Sequence, residues 1–301
     1  MMKSTYHNPV LLKETVDGLA IKEDGVYVDV TFGGGGHSRE IISRLGSAGK
    51  LIAFDQDEDA QANVLEDDRF LLIAENFRYI KRFLKFYCIK KVDGILGDFG
   101  VSSHQFDVAE RGFSTRFDAD LDMRMSQKNT VSAYMIVNDY KETDLAKVLK
   151  EYGEIRSAFG MAREIEKARK EKPIRTSGEL KEVIKRFLPK SREHKILAQV
   201  YQAIRIEVNQ EIEALKEFLM QTSDILNVGG RLSLISYHSL EDRLVKRFIR
   251  DGIFEGSPEK DFYGNVEVPF KKVGQLIVPS EKEIKENNRA RSAKLRIAEK
   301  L

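Results

Sequence analysis

A single cysteine, Cys88, in 301 residues excludes an internal disulfide framework and any multi-cysteine zinc site, which suits a reducing compartment. No stretch approaches the roughly 18 apolar residues that a membrane-spanning helix requires. The opening residues, MMKSTYHNPVLLKE, contain no apolar run of signal-peptide length. Nor does either charge dominate, since the net charge is only +2. What is left is the expectation of a cytoplasmic globular chain held by an ordinary core, and 42% hydrophobic residues can supply one at this length.

The near-neutral total hides a gradient. Residues 1–112 carry 14 Lys and Arg against 18 Asp and Glu, residues 113–211 carry 20 against 16, and residues 212–301 carry 16 against 14. Between Arg163 and Lys195 the imbalance sharpens to 12 basic against 6 acidic residues. That local field suits a polyphosphate partner, and it equally suits a solvated helix face.

Up to about residue 98 the pattern alternates. VYVDVTF (26–32), KLIAFD (50–55), RFLLIAE (69–75) and VDGILGD (92–98) are short aliphatic or β-branched runs. Between them, HSREIISRL (37–45), DEDAQANVLE (57–66) and FRYIKRFLKFY (77–87) have helical spacing. Strands that are apolar throughout and alternate with helices predict βαβ units and a parallel sheet covered on both faces, with ligands at the carboxyl ends of the strands. After Asp98 the alternation stops. Residues 99–127 are rich in Gly, Ser, Asp and Arg, and from about Ser132 to Ile225 every segment reads as helix, with Thr176 and Glu179 spaced as a capping box. Residues 194–226 predict one or two long helices. Strand patterning returns at GGRLSLISYHS (229–239), followed by the helix LEDRLVKRFIR, a loop from Gly252 to Gly264, and late strands near 266–274 and 293–300. The expected organisation is an α/β domain, residues 1–113 with 212–301, interrupted by a helical insertion over 114–211.

The first strand breaks into Gly33, Gly34, Gly35 and Gly36, followed by His37. Four glycines imply a loop that something approaches closely. A triphosphate loop is excluded because no Lys-Ser/Thr pair follows. The G-x-G-x-x-G spacing fits Gly33 and Gly35 but would place its third glycine at Ser38, so a dinucleotide is only partly matched. Asp55 ends the second strand 22 residues beyond Gly33, where a carboxylate can accept both ribose hydroxyls of an adenosine. It serves NAD or S-adenosylmethionine equally. Phe77, after the third strand, has the chemistry to cover an adenine or to fill a core. Asp98 ends the fourth strand, where the reactive end of a ligand would meet its substrate.

Several longer motifs carry a resemblance. They are His7-Asn8-Pro9-Val10-Leu11-Leu12, Thr31-Phe32-Gly33-Gly34-Gly35-Gly36-His37-Ser38, Asp98-Phe99-Gly100-Val101-Ser102-Ser103 and Glu110-Arg111-Gly112-Phe113-Ser114. With them go Leu121 to Met125, Gln202 to Ile206, Ser236 to Arg243 and Asn288 to Ser292. In these motifs, which span almost the whole chain, the sequence resembles the bacterial ribosomal RNA cytosine N4-methyltransferases, the MraW-like enzymes. The resemblance implies a class I, Rossmann-like methyltransferase fold with an inserted all-helical domain for RNA recognition. It implies S-adenosylmethionine as cofactor and S-adenosylhomocysteine as product. The substrate it implies is a cytidine in the decoding region of 16S ribosomal RNA, within the small subunit. It assigns the cofactor to Gly33 to Gly36, His37, Asp55, Phe77, Asp98 and Gln105, of which His37 and Gln105 rest on the resemblance alone. Members of that family commonly have Gly-Pro where this chain has Ala119-Asp120, and often an Arg where it has Gln199.

Transfer from a sulfonium demands placement more than covalent help, whereas the cytosine amine is a poor nucleophile that an acceptor group must polarise. Asp98 fits that task, or that of binding the methionine amino group of the cofactor. His238, at the end of the fifth strand, is a second candidate base and equally a structural histidine. Candidate RNA contacts are Arg111, Arg116, Arg124, Arg205, Arg289 and Arg291, any of which could instead be a surface ion pair. No metal is called for. A nicotinamide oxidoreductase shares the glycine turn and Asp55, and a non-catalytic RNA-binding assembly protein could share the whole fold.

Overall fold

The computed structural model describes residues 9–258, 262–263 and 266–301. His7 and Asn8 of the first motif, and residues 259–261 and 264 of the expected loop, lie outside these. Two compact units emerge, one comprising Met1–Gly100 and Ile212–Leu301, the other Val101–Glu211. The irregular stretch after the fourth strand thus goes with the helical unit, which starts a dozen residues before the boundary expected at 113.

The first unit is built on seven strands: β1 (Val26–Asp29), β2 (Lys50–Phe54), β3 (Phe70–Ile73), β4 (Val92–Asp98), β5 (Leu226–Ser236), β6 (Phe270–Ile277) and β7 (Lys294–Lys300). They lie in the order β3-β2-β1-β4-β5-β7-β6. The first five are parallel, and β7 runs antiparallel to both β5 and β6. The chain moves outward from β1 to β3 and then returns to β4 on the other side of β1, so the carboxyl ends of β1 and β4 flank a topological switch point.

The helices are α1 (Leu12–Gly18), α2 (Gly36–Arg44), α3 (Ile80–Phe86), α4 (Ser103–Asp107), α5 (Ala133–Asp139), α6 (Glu142–Glu151), α7 (Ala158–Glu171), α8 (Ser177–Val183), α9 (Glu193–Asn209), α10 (Glu211–Ile225), α11 (Ser239–Asp251) and α12 (Glu281–Glu286). Successive strand residues serve opposite faces of the sheet. Val28, Ile52, Phe54 and Ile95 pack with Leu215, Phe218 and Leu219 of α10, while Tyr27, Leu51 and Leu96 pack with Val16 of α1 and Ile41 of α2. Burial on both faces is why these strands read as continuous apolar runs.

Two expected helices are curtailed. Residues 57–66 form only a 3-10 turn, Glu58–Asn63, capped by the Asp57 side chain. The segment expected as helix over 77–87 begins with a 3-10 turn, Phe77–Tyr79, before α3. Each starts on an Asp or Asn whose side chain accepts a backbone N–H two residues on, a local bond that favours a tight turn. The long helical stretch is broken in two at Gln210, which takes a left-handed conformation with φ of 50°. A non-glycine residue gives no sequence signal for such a break.

In the helical unit the Thr176–Glu179 capping box forms as its spacing predicts. One core gathers Ile136, Leu145, Leu149, Met161, Ile165, Leu180, Val200 and Ile204 from α5 to α9. Both departures from the family pattern have structural partners here. Asp120 bridges to Thr176, and the Gln199 amide donates to the Gly153 carbonyl at 2.9 Å.

Phe218 anchors the α10 face of the sheet, fully buried and edge-on to Phe77 and Phe99 at centroid distances of 5.4 and 6.1 Å. Phe218→Ala is expected to lower stability by about 3–5 kcal/mol, through lost transfer energy and an unfilled cavity. Chemical denaturation of the two proteins measures the difference.

Candidate active site

The loop after β1 turns because Gly33 and Gly35 adopt φ of 50° and 72°. The Gly35 N–H closes the turn on the Phe32 carbonyl at 2.7 Å. Gly36 is small for a different reason: a Cβ there would lie 2.1 Å from Cγ of Pro9. Part of what approaches the glycines is therefore the chain itself. His37 follows the same logic. Its buried ring donates from Nε2 to the Val10 carbonyl at 3.1 Å, and burial pushes its pKa down to about 4. It is neutral at physiological pH and ties the N-terminal segment to the loop. That segment is also held from the other side, where the Leu11 N–H donates to Glu283 of α12 at 2.7 Å.

Three buried carboxyls stand at the ends of β1, β2 and β4. Asp29 accepts from the Ser38 hydroxyl at 2.7 Å and the Thr31 N–H at 3.1 Å, and burial raises its pKa to about 6. Asp55 accepts from the Gly33 N–H at 2.7 Å and the Asp57 N–H at 2.8 Å, and burial raises it to about 6 as well. Asp98 is raised furthest, to about 7, chiefly by burial, with the Tyr237 hydroxyl opposing and the charges of Asp29 and Glu241 adding. Its backbone N–H donates to the Thr31 hydroxyl at 2.6 Å, which joins the end of β4 to the glycine loop. Its Oδ1 is buried with no hydrogen-bond partner. An orphaned carboxyl oxygen beside a glycine cradle at the switch point is a site awaiting a hydrogen-bond donor.

Phe77 packs on Phe99 and Phe218 with centroids 5.8 and 5.4 Å away, so it takes part in the core while standing just past the end of β3. His238 caps α11: its Nδ1 accepts from the Glu241 N–H at 3.4 Å, and Nε2 lies 3.1 Å from Glu241 Oε1. Glu241, almost fully buried, in turn accepts from the N–H groups of Tyr237 and His238 at 2.9 and 3.3 Å. The ring of His238 is thus committed to a helix terminus. Gln105 lies in the helical unit, buried in a capping box with Ser102.

The six arginines are divided between the units. Arg111 donates to the carbonyls of Arg124 and Met125 at 3.1 and 3.0 Å. Arg124 forms a two-point pair with Asp122 at 2.7 and 2.9 Å. Arg205 forms another with Glu211 at 2.8 and 2.9 Å, largely buried. These three hold the helical unit together. Arg116 is exposed beside Asp107, and Arg291 lies exposed on the 3-10 turn Asn288–Ser292, which Arg289 shares. Asp29 and Tyr237 escaped the sequence reading as site residues. A charged residue inside the apolar run VYVDVTF was the available signal for the first; nothing local marks the second.

The strand order, with β7 antiparallel, the glycine turn at the switch point and the acid after β2 together define a class I methyltransferase, for which S-adenosylmethionine is the cofactor. The profile of the MraW methylase family matches residues 4–301. The chain belongs to that family. It is 70% identical to the ribosomal RNA small subunit methyltransferase H of Flavobacterium johnsoniae, covering 98% of each chain. The protein of the same name from Christiangramia forsetii is 68% identical over the whole of both chains. That from Bacteroides thetaiotaomicron is 56% identical over 98% of each. Among solved structures, an rRNA methylase from Streptococcus thermophilus matches with a TM-score of 0.43 at 13% identity, covering 96% of this chain and 95% of that one. TrmN from Thermus thermophilus matches with 0.44 at 11% identity, covering 97% and 48%. Membership of a methylase family displaces the oxidoreductase and non-catalytic readings. No helix among the described residues is long and apolar enough to cross a membrane.

A carboxyl whose folded pKa is raised stabilises the fold fully below its unfolded value of 3.8, and that contribution is lost as pH rises through about 7 for Asp98. Asp98→Asn is therefore expected to flatten the fall in stability of the ligand-free protein between about pH 4 and 7. Thermal unfolding of both proteins across that range measures it; parallel profiles would show that Asp98 does not titrate there.

Proposed function

We propose that this protein transfers a methyl group from S-adenosylmethionine to the exocyclic N4 of a cytidine in the decoding region of 16S ribosomal RNA, in the cytoplasm and within the small subunit. The observation that carries the reading is Asp98 Oδ1, a buried acceptor without a partner at the end of β4. The names borne by the relatives support the small-subunit RNA substrate.

The residues suited to the cofactor are those of the glycine loop for its methionine part, Asp55 for its ribose and Phe77 for its adenine. When bound, S-adenosylmethionine supplies an electrophilic methyl group. Asp98 then does the work on the acceptor side. Ionised, its Oδ1 accepts an N–H of the cytosine amine, draws the lone pair out of conjugation with the ring, and stabilises the positive charge growing on nitrogen. With a pKa of about 7 it is also matched to receiving the proton that the nitrogen must lose. Water is excluded from this carboxyl by the same burial that raises its pKa, which strengthens each interaction it makes.

The target base has to leave its stack or lie in a single strand to reach a buried carboxyl. The helical unit provides the RNA contacts in this reading. Its stretch from Arg163 to Lys195 has twice as many basic as acidic residues, and within it Arg186 lies over the Phe187 ring at 4.7 Å, a pairing that also serves stacked bases. The arginines held in the structural pairs described above contribute shape to this unit, leaving exposed cations such as Arg116, Arg163 and Arg291 for phosphate.

Asp98→Ala is expected to abolish tritium transfer from labelled cofactor to undermethylated small-subunit RNA, whereas full retained activity would remove Asp98 from the reaction. For the wild-type protein the rate should rise with pH through about 7 as Asp98 ionises. Mass spectrometry of ribosomal RNA from cells lacking the protein tests the substrate, since an unchanged cytidine profile would refute it.

A further inference from the structure

Tyr237 is the first residue beyond β5, and its neighbours leave it little freedom. Asp98 and Ile235 are register partners across β4 and β5, and the Phe99 N–H donates to the Ile235 carbonyl at 3.0 Å, so the two strands leave the sheet together. The Tyr237 N–H donates to Glu241 Oε2 at 2.9 Å, and Glu241 is itself fixed in the first turn of α11. The ring packs against the cluster that includes Val10, Leu11, Ala290 and Leu295. Gly100, at φ of 106°, passes close to it; a Cβ there would lie 3.5 Å from Cδ2 of Tyr237. Backbone, ring and neighbouring loop thus converge on one placement, with the hydroxyl set against the Asp98 carboxyl.

Both groups of the pair are withdrawn from water. Burial, followed by the charge of Asp98 and then of Glu241 and Glu283, drives the Tyr237 hydroxyl well above its usual pKa. It keeps its proton under all working conditions and acts toward Asp98 only as a donor. The groups facing Asp98 are then one fixed donor, Tyr237, and two acids, Asp29 and Glu241.

We propose that Tyr237 is a positioning residue for methyl transfer: its hydroxyl engages one side of the Asp98 carboxyl and leaves Oδ1 as the oxygen that serves the reacting amine. The inference rests on the role given to Asp98 under the proposed function. A carboxylate free to rotate would present either oxygen; one tethered by a buried hydroxyl is preorganised, and preorganised acceptors do not have to reorient as charge develops. The same donor stabilises the ionised form of Asp98, the form that accepts.

Tyr237→Phe removes the hydroxyl and keeps the ring. In the ligand-free protein, losing a donor to the carboxylate raises the Asp98 pKa, so the pH interval over which Asp98-dependent stability is lost should move upward. This readout needs neither cofactor nor RNA. In turnover, kcat is expected to fall about tenfold to a hundredfold, the scale of a hydrogen bond to a charged group. KM for RNA should stay within about twofold, because ground-state binding is untouched, and the acid limb of the pH–rate profile should shift upward. The double variant Tyr237→Phe with Asp98→Asn should be no slower than Asp98→Asn alone, since the tyrosine acts through the carboxyl. Unchanged kcat in Tyr237→Phe, an unmoved stability profile, or additive losses in the double variant would each overturn the proposal. A wild-type protein that methylates no cytidine would instead refute the proposed function, and the ligand-free profile would still decide whether Tyr237 holds Asp98.

Discussion

Everything around the candidate site depends on keeping three carboxyls out of water at the ends of adjacent parallel strands. Asp29, Asp55 and Asp98 repel one another, and burial disfavours the charge on each. The fold answers with donors taken mainly from the loop after β1: the N–H groups of Thr31 and Gly33 and the hydroxyl of Ser38. The glycine turn is therefore more than a gap for a ligand. Its left-handed residues point backbone donors at two of the acids, and Thr31 accepts from the backbone of the third. Asp98 alone keeps an oxygen in reserve.

A second consequence follows from the same crowding. The N-terminal segment is drawn against the loop by His37 and held from behind by Glu283, so residues far apart in sequence close one wall of the site. Gly36 is the point of closest approach. The run of four glycines thus has three separate reasons: backbone geometry at Gly33 and Gly35, contact with Pro9 at Gly36, and room for a nucleoside beside them.

The β1 to β4 alternation was legible because both sheet faces are buried, which writes each strand as an uninterrupted apolar run. The helical insertion was legible from spacing and from the Thr176–Glu179 box. Illegible were the features set by a few backbone angles: the 3-10 turn at Glu58–Asn63, whose side-chain cap outcompeted a helix, and the break at Gln210, a left-handed turn without a glycine. In the site, Asp55 and Asp98 were found because strand ends are where such sheets bind ligands. Arg111, Arg124 and Arg205 were read as RNA contacts because a sequence shows charge without its partner; in the fold each one has hydrogen-bond acceptors within the same unit.

By itself the sequence determined the class of sheet, the position of the glycine turn and the acids at the strand ends, since all three follow from local periodicity and backbone chemistry. Only the tertiary structure decided what those groups do to one another. Tyr237 meets Asp98, His37 reaches Val10 and His238 turns to its own helix because strands and segments separated by tens to hundreds of residues are brought to one edge. Burial then sets the protonation of each, a quantity that depends on enclosure by the whole unit and that no single stretch of residues encodes.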